Sequence, residues 1–204
     1  MDQSVTSDLI VNDDVWKYLV IQRGDLHQYK DDREAWLDLY KLQLEIDLEH
    51  IHQACPHPAD VLDIGSGVGA IDVMLAKLGS SVHLLDGEDA LPIMFRQDVP
   101  FNARKAVKSF FADNGITKFS YMSPHNLYPV KVDLVLSFRS WCFHYPPVQY
   151  LEFVKQCCKP STRLLIDVRK DRMEWLSVLK LNFHMLGSVV TRRKFHRVMF
   201  EMKR

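Results

Sequence analysis

The sequence predicts an α/β protein with a mostly parallel sheet of seven strands, closed by a C-terminal antiparallel hairpin and preceded by a helical extension. Three observations carry that prediction. Val61-Leu62-Asp63-Ile64 is a short apolar run that breaks into Gly65-Ser66-Gly67-Val68-Gly69 and continues, from Ala70 to Leu78, with a helical apolar pattern. Four further apolar runs, at Ser80–Asp86, Phe119–Met122, Val132–Phe138 and Arg163–Val168, then alternate with helical patterns, the rhythm of a parallel sheet. Finally, Met185–Val190 and Phe195–Met202 follow one another across only a short turn, which fits an antiparallel pair at a sheet edge.

The chain has 204 residues, 47% of them hydrophobic and 25% charged, enough for one packed domain with an extension and short for two domains. Its formal net charge of +0 argues against a protein whose main task is neutralising nucleic-acid phosphates, although a local basic patch stays open. Cys55, Cys142, Cys157 and Cys158 contain no C-x-x-C pair, and adjacent Cys157 and Cys158 make an awkward disulfide framework. Met1-Asp2-Gln3-Ser4 lacks the basic and apolar regions of a signal peptide, and no apolar run approaches a membrane span. A cytoplasmic protein is expected.

Residues 1–57 are expected to form the extension. Asn12, Asp13 and Asp14 cap an amphipathic helix carrying Val15, Trp16, Tyr18, Leu19 and Ile21, with Gly24 at its end. From Lys30 to Gln53 two periods compete. Tyr40, Leu42, Leu44, Ile46 and Leu48 alternate with polar residues as in a strand, while Leu37, Tyr40, Leu44, Leu48 and Ile51 share one helical face. The abundance of Leu, Gln, Glu and Lys favours helix. Pro56 and Pro58 then set an extended entry to residues 58–204. His50, His52 and His57 raise the question of a metal, but residues two apart on a helix point in different directions, so no metal site is expected.

The glycine loop is a place for a small molecule. Alternating glycines let a ligand approach the main chain, and the helix start behind them offers free N–H groups. Gly65, Gly67 and Ala70 also satisfy the dinucleotide pattern G-x-G-x-x-G/A, so the glycines alone do not choose the ligand. Asp86, beside Gly87 at the carboxyl end of the second strand, stands where a carboxylate accepts from both hydroxyls of a ribose. Asn102–Asn114 reads as a helix closed by Gly115, Val148–Cys157 as another, Lys159-Pro160-Ser161 as punctuation before the fifth strand, and Met173 to about Phe183 as the helix before the hairpin.

With Asp63 before the glycines, Asp86 ending the second strand, Lys159-Pro160-Ser161 before the fifth and the closing hairpin, residues from Asp60 onward resemble the class I, Rossmann-like methyltransferases that use S-adenosylmethionine. A nicotinamide dehydrogenase would share the glycines and Asp86 but not the hairpin. The resemblance implies S-adenosyl-L-methionine as cofactor. Gly65, Ser66, Gly67 and Gly69 would then pass close to its methionine part, Asp63 would hold the ammonium, Asp86 with Gly87 the ribose side, and Ser137 would line the sulfonium side. Where many members carry an acid for the adenine amine, this chain has Met122-Ser123-Pro124, which leaves Ser123 as the candidate. The absence of an (Asn/Asp)-Pro-Pro-aromatic motif after the fourth strand disfavours methylation of DNA amines. Arg139-Ser140-Trp141-Cys142-Phe143-His144-Tyr145-Pro146, with Phe101-Asn102, is instead similar to small bacterial or phage methyltransferases of sugar or polysaccharide modification.

Methyl transfer to a hydroxyl gains from a base within hydrogen-bond reach. His144 is the candidate base and Arg139 the residue that orients an anionic or hydroxyl-rich substrate; the alternative is that His144 caps the next helix or packs under Tyr145. Trp16, Trp36, Trp141, Phe143 and Tyr145 offer aromatic faces to a sugar, or core. The expected function is methyl transfer to a small-molecule or saccharide hydroxyl. Its rivals are an RNA or protein methyltransferase docking through the basic stretch Arg192, Arg193, Lys194, His196 and Arg197, and a non-catalytic cofactor-binding domain.

Overall fold

The structure, a computed structural model, describes residue 6, residues 8–87 and residues 103–203. Seven strands form one sheet in the order β3-β2-β1-β4-β5-β7-β6. These are β1 (Asp60–Ile64), β2 (Ser81–Leu85), β3 (Ser120–Met122), β4 (Val132–Ser137), β5 (Cys158–Arg169), β6 (Phe183–Thr191) and β7 (Phe195–Met202). The first five run parallel, and β7 enters antiparallel between β5 and β6. The order reverses between β1 and β4, so the carboxyl ends of β1, β2 and β4 bound the crevice where such sheets bind ligands.

Helices cover both faces. α1 (Asp13–Gln22), α2 (Arg33–Ala54), α3 (Ala70–Lys77) and α4 (Arg104–Asp113) share one hydrophobic cluster with Val61, Val82, Leu84, Leu134 and Leu136. α5 (Leu151–Cys157) and α6 (Met173–Asn182) pack on the other face with Leu62, Ile64, Val135, Leu164 and Ile166. The alternation along β1 therefore turns Asp63 to the face covered by α1–α4.

The competition between periods in the extension resolves to helix. α2 runs for 22 residues, Asp32 Oδ1 accepts from Ala35 N at 3.0 Å to start it, and Trp36, Tyr40, Leu44, Leu48 and Ile51 form its buried stripe. α1 begins as expected, with Asn12 Oδ1 accepting from Val15 N at 2.9 Å. Gly24 does not close α1: the helix ends at Gln22 with Arg23 as its cap, and Gly24 opens a 3₁₀ turn to Tyr29.

Several boundaries differ from expectation. α4 starts at Arg104; Phe101-Asn102 lie outside the described residues, as does Met1–Ser4. The helix expected from Val148 is a 3₁₀ turn at Pro147–Gln149 followed by α5. Lys159-Pro160-Ser161 is no turn between elements but part of β5, at a register shift opposite Val132–Leu134. The extra residues bulge outward while the Thr162 hydroxyl holds the edge together, accepting from Lys159 N at 2.7 Å and donating to Val132 O at 2.5 Å. A bulge tolerates proline because the ladder is already interrupted there.

Arg197 departs most from the sequence reading. It is 2% exposed, so it is not part of a basic surface with Arg192, Arg193 and Lys194. Its guanidinium meets Asp167 twice, Nε to Oδ1 at 2.7 Å and Nη2 to Oδ2 at 3.0 Å, and its Nη1 reaches Asp47 Oδ1 at 2.5 Å. It also lies 3.6 Å over the Phe138 ring and donates to His50 Nδ1 at 2.9 Å. One buried cation thus joins β7, β5, α2 and the end of β4. Trp36 and Trp141 are likewise core rather than surface, each 0% exposed. Among the described residues no helix is long and apolar enough to cross a membrane, and the four cysteines are free thiols.

Candidate active site

The crevice is built by three turns that meet at the carboxyl ends of β1, β2 and β4. The first is the glycine loop. Gly65, Gly67 and Gly69 have φ of +79°, +59° and +79°, a region that costs any residue with a Cβ. Gly69 N–H donates to Ser66 O at 2.9 Å, and Gly69 O accepts the first bond of α3, from Val73 N at 2.9 Å. A Cβ on Gly69 would stand 2.8 Å from both Leu84 Cδ2 and Phe111 Cε2, so this glycine sets how closely α3 approaches the sheet.

Asp86 follows β2, and its Oδ2 accepts from Gly67 N–H at 2.5 Å. Burial pushes its carboxyl up to about 7, against the downward pull of the Gly67 and Gly87 N–H groups. Asp63 is 4% exposed and Asp72, in the first turn of α3, is 0% exposed. Burial, then the Asp72 charge, raise the Asp63 carboxyl well above its ordinary range, and burial places Asp72 at about 7. Among the described residues no Lys, Arg or His forms an ion pair with Asp63, Asp72 or Asp86. The Ser66 hydroxyl and both Asp72 oxygens are buried without a hydrogen-bond donor or acceptor paired to them.

The third turn follows β4. Arg139 and Cys142 take φ of +60° and +66°, a conformation unusual for side chains of their size, and one found preferentially at functional turns. Ser140 O accepts from Phe143 N at 3.0 Å and His144 N at 2.7 Å, and Cys142 N donates to Tyr145 O at 2.8 Å. The Ser140 side chain fills the space a Cβ on Gly65 would need, which brings this turn onto the glycine loop. Ser137 is fully buried: its hydroxyl donates to Ile64 O at 2.9 Å and accepts from Trp141 N at 2.8 Å. That hydroxyl ties β4 to β1 and anchors the turn.

His144 is an exposed imidazole on this turn, its ring 4.8 Å from that of Phe143. Desolvation of its packed side and then the charge of Arg169 lower its pKa, so it is neutral at pH 7. The Arg139 Nη1 donates to Asp25 Oδ1 at 3.0 Å, across to the 3₁₀ turn of the extension. Against the upward push of burial, Arg23 and then Arg139 hold the Asp25 carboxyl at about 2. Ser123 lies just past β3 and bridges to Asn126, while Asp86 N donates to Met122 O at 3.2 Å.

The loop, Asp63, Asp86, Ser140 and the Arg139–Tyr145 turn thus come together, with Ser123 one strand away beyond β3. Sequence reasoning missed Asp72, Gln22 and Asp25. Gln22, at the end of α1, sets its Oε1 3.4 Å from Val68 N and against Gly67. Asp72 did leave a signal: it is the one acid in Ala70-Ile71-Asp72-Val73-Met74-Leu75, a turn and a half of helix that is otherwise apolar. The histidines do not converge. His50 bonds Arg197 and His52 Nδ1 lies 3.0 Å from Pro56 O; among the described residues no group of His, Cys, Asp and Glu could hold a metal ion.

No protein-family model and no curated protein sequence matches the chain. Solved structures do. A protein of Pyrococcus horikoshii OT3 matches over 80% of this chain and 91% of its own, with a TM-score of 0.61 at 15% identity. A TehB-like SAM-dependent methyltransferase from Corynebacterium glutamicum matches over 76% and 86%, with a TM-score of 0.56 at 18% identity. The 1,6-didemethyltoxoflavin-N1-methyltransferase of Burkholderia thailandensis, solved with 1,6-didemethyltoxoflavin and S-adenosylhomocysteine, matches over 92% and 90%, with a TM-score of 0.58 at 16% identity. At such identities the likeness is one of fold. The chain has the class I, Rossmann-like fold of SAM-dependent methyltransferases, including the β5-β7-β6 ending.

Proposed function

We propose that the protein is an S-adenosylmethionine-dependent methyltransferase that methylates a hydroxyl of a small molecule or saccharide. The observation that carries this reading is the set of three carboxylates, Asp63, Asp72 and Asp86, around a glycine loop and, among the described residues, paired with no cation. Buried carboxylates without a counter-charge are costly, and a cationic ligand relieves that cost. The pyrophosphate of a nicotinamide dinucleotide would be repelled. S-adenosylmethionine brings an ammonium and a sulfonium.

The residues present fit that group. Gly67 and Gly69 leave room for it at the main chain, and the Ser66 hydroxyl and the Asp72 oxygens are buried polar atoms in want of partners. Asp63 would face the ammonium, and Asp86, released from Gly67 N–H, would accept from the ribose hydroxyls with Gly87 beside it. Ser123 is the candidate at the adenine edge, and Ser137 supports the sulfonium side by fixing the turn. Bound there, the cofactor supplies an electrophilic methyl group. His144, neutral at pH 7, accepts the proton of the acceptor hydroxyl on an imidazole nitrogen, and Arg139 orients the acceptor with the donors left over from its bond to Asp25.

Residues 1–57 serve as the cover of the site. Gln22 lies over Gly67 and Val68, and Asp25 ties the cover to Arg139. Val15, Leu19 and Trp36 are fully buried in the cluster shared with the sheet, which makes this a packed layer rather than a loose flap. The free thiols suit a reducing cytoplasm.

Incubation with methyl-labelled S-adenosylmethionine and fractionated cell extract tests the reading. Label should enter low-mass, hydroxyl-bearing compounds or carbohydrate. Label confined to RNA or protein would instead support docking through the exposed Arg192, Arg193 and Lys194, and no transfer to any fraction would point to a binding domain. Replacement His144→Ala should lower kcat ~100-fold or more with the identified acceptor; near-full turnover would remove His144 from the chemistry.

A further inference from the structure

We propose that Asp63 and Asp72 work as one acid pair that is protonated in the ligand-free protein, and that the ammonium of the bound cofactor displaces a proton from it. Cofactor binding would then release one proton or more and tighten as pH rises. The inference rests on the cofactor reading above and makes Asp72 a positioning residue for it.

The geometry comes from the strand-loop-helix turn. Asp63 is the penultimate residue of β1 and Asp72 the third of α3, so the glycine loop folds the first helical turn back over the strand end. Both side chains are sealed, at 4% and 0% exposure. No hydrogen-bond donor reaches either Asp72 oxygen, and after burial the neighbouring Asp72 charge is what most raises the Asp63 carboxyl. Two neighbouring like charges do not both persist away from water, so the pair retains a proton.

Among the described residues no positive charge is paired with either acid. From β2 the pair faces Asp86, and from α2 it feels Asp47. Arg197, a buried cation on the same face of the sheet as α2, is spent on Asp167 and Asp47, with His50 as a neutral acceptor on its Nη1. α1 contributes Gln22, which is uncharged. An incoming ammonium would take over the proton's place: the proton on the pair leaves to solvent, and the two carboxylates share the ammonium. No covalent bond is made or broken.

The test is calorimetric titration of the whole chain with S-adenosylmethionine at pH 6, in buffers of different ionisation enthalpy. At that pH the free amino group of the cofactor is already protonated, so a released proton comes from the protein. The wild type should release one proton or more per cofactor, and its affinity should rise by ~10-fold or more per pH unit between pH 5 and 7. S-adenosylhomocysteine, which keeps the ammonium and lacks the sulfonium, should release the same proton. Asp72→Asn should bind with little release and a flat pH dependence. Binding by the wild type without proton release overturns the inference alone, as does undiminished release by Asp72→Asn, which would move the proton to Asp86. Absence of binding by the wild type at every pH overturns the cofactor reading, and the inference with it. The wild-type proton count decides the matter even if the variant fails to fold.

Discussion

Replacing Asp72 with Asn should make the ligand-free protein progressively more stable than the wild type as pH rises. The Asp72 carboxyl, fully buried, titrates at about 7 rather than at 3.8. That difference corresponds to about 4 kcal/mol, counted once for the pair it forms with Asp63. The sign follows from which state binds the proton more tightly. Between pH 4 and 7 the folded chain holds a proton that the unfolded chain has lost. The contribution is therefore fully present below 3.8 and disappears as pH rises through about 7. An Asn side chain donates an N–H to Asp63 at any pH and carries no charge to bury. Urea unfolding of both proteins at half-unit steps from pH 5 to 8 reads the effect as a difference, which is necessary because His50, His83 and His144, whose pKa values are lowered, add stability over the same range as they lose their protons. The variant should gain up to about 3 kcal/mol on the wild type across that window, since part of the full difference falls below pH 5. A difference that stays flat, or that favours the wild type at pH 8, would refute the claim that these two acids face each other without a cation.

Two further substitutions probe the frame that holds the site. Gly69→Ala should cost about 2–5 kcal/mol in the same unfolding assay, because a Cβ there meets both a positive φ and the side chains of Leu84 and Phe111; Gly79→Ala, at φ +96° with nothing within 4 Å, should cost only about 1–2 kcal/mol. Arg197→Ala should cost about 3–5 kcal/mol by stranding Asp167 and Asp47, whereas Arg193→Ala on the hairpin turn should stay within about 0.5 kcal/mol of the wild type.

The parallel sheet was legible because its strands announce themselves twice. Val132-Asp133-Leu134-Val135-Leu136 is apolar on both faces, as a central strand sandwiched between helices must be, and the glycines after Ile64 mark where the first strand stops. The glycine-loop crevice was legible for the same reason: Asp63, the glycines and Asp86 lie within one strand-loop-helix-strand stretch, where spacing in sequence is spacing in space. What sequence could not supply depended on distant partners. Arg197 sits in a run of bases that reads as surface, and only the fold brings Asp167 and Asp47 to it from 30 and 150 residues away. Lys159-Pro160-Ser161 carries the composition of a turn, and the Thr162 hydroxyl that lets it remain in a strand acts on a residue of β4. Arg139 was read as facing substrate, and its partner Asp25 comes from the extension, 114 residues away. Asp72 could have been found as an acid inside an apolar helical turn, but its neighbour Asp63 appears only once the loop is folded.

The reading that the glycine loop takes a cationic methyl donor meets its most direct test in calorimetric titration of the purified chain with S-adenosylmethionine and, separately, with NAD. S-adenosylmethionine should bind with saturable stoichiometry near one per chain, Asp86→Ala should weaken that binding at least ~10-fold through the lost ribose contacts, and NAD should show no binding. Saturable binding of NAD with none of S-adenosylmethionine would contradict it.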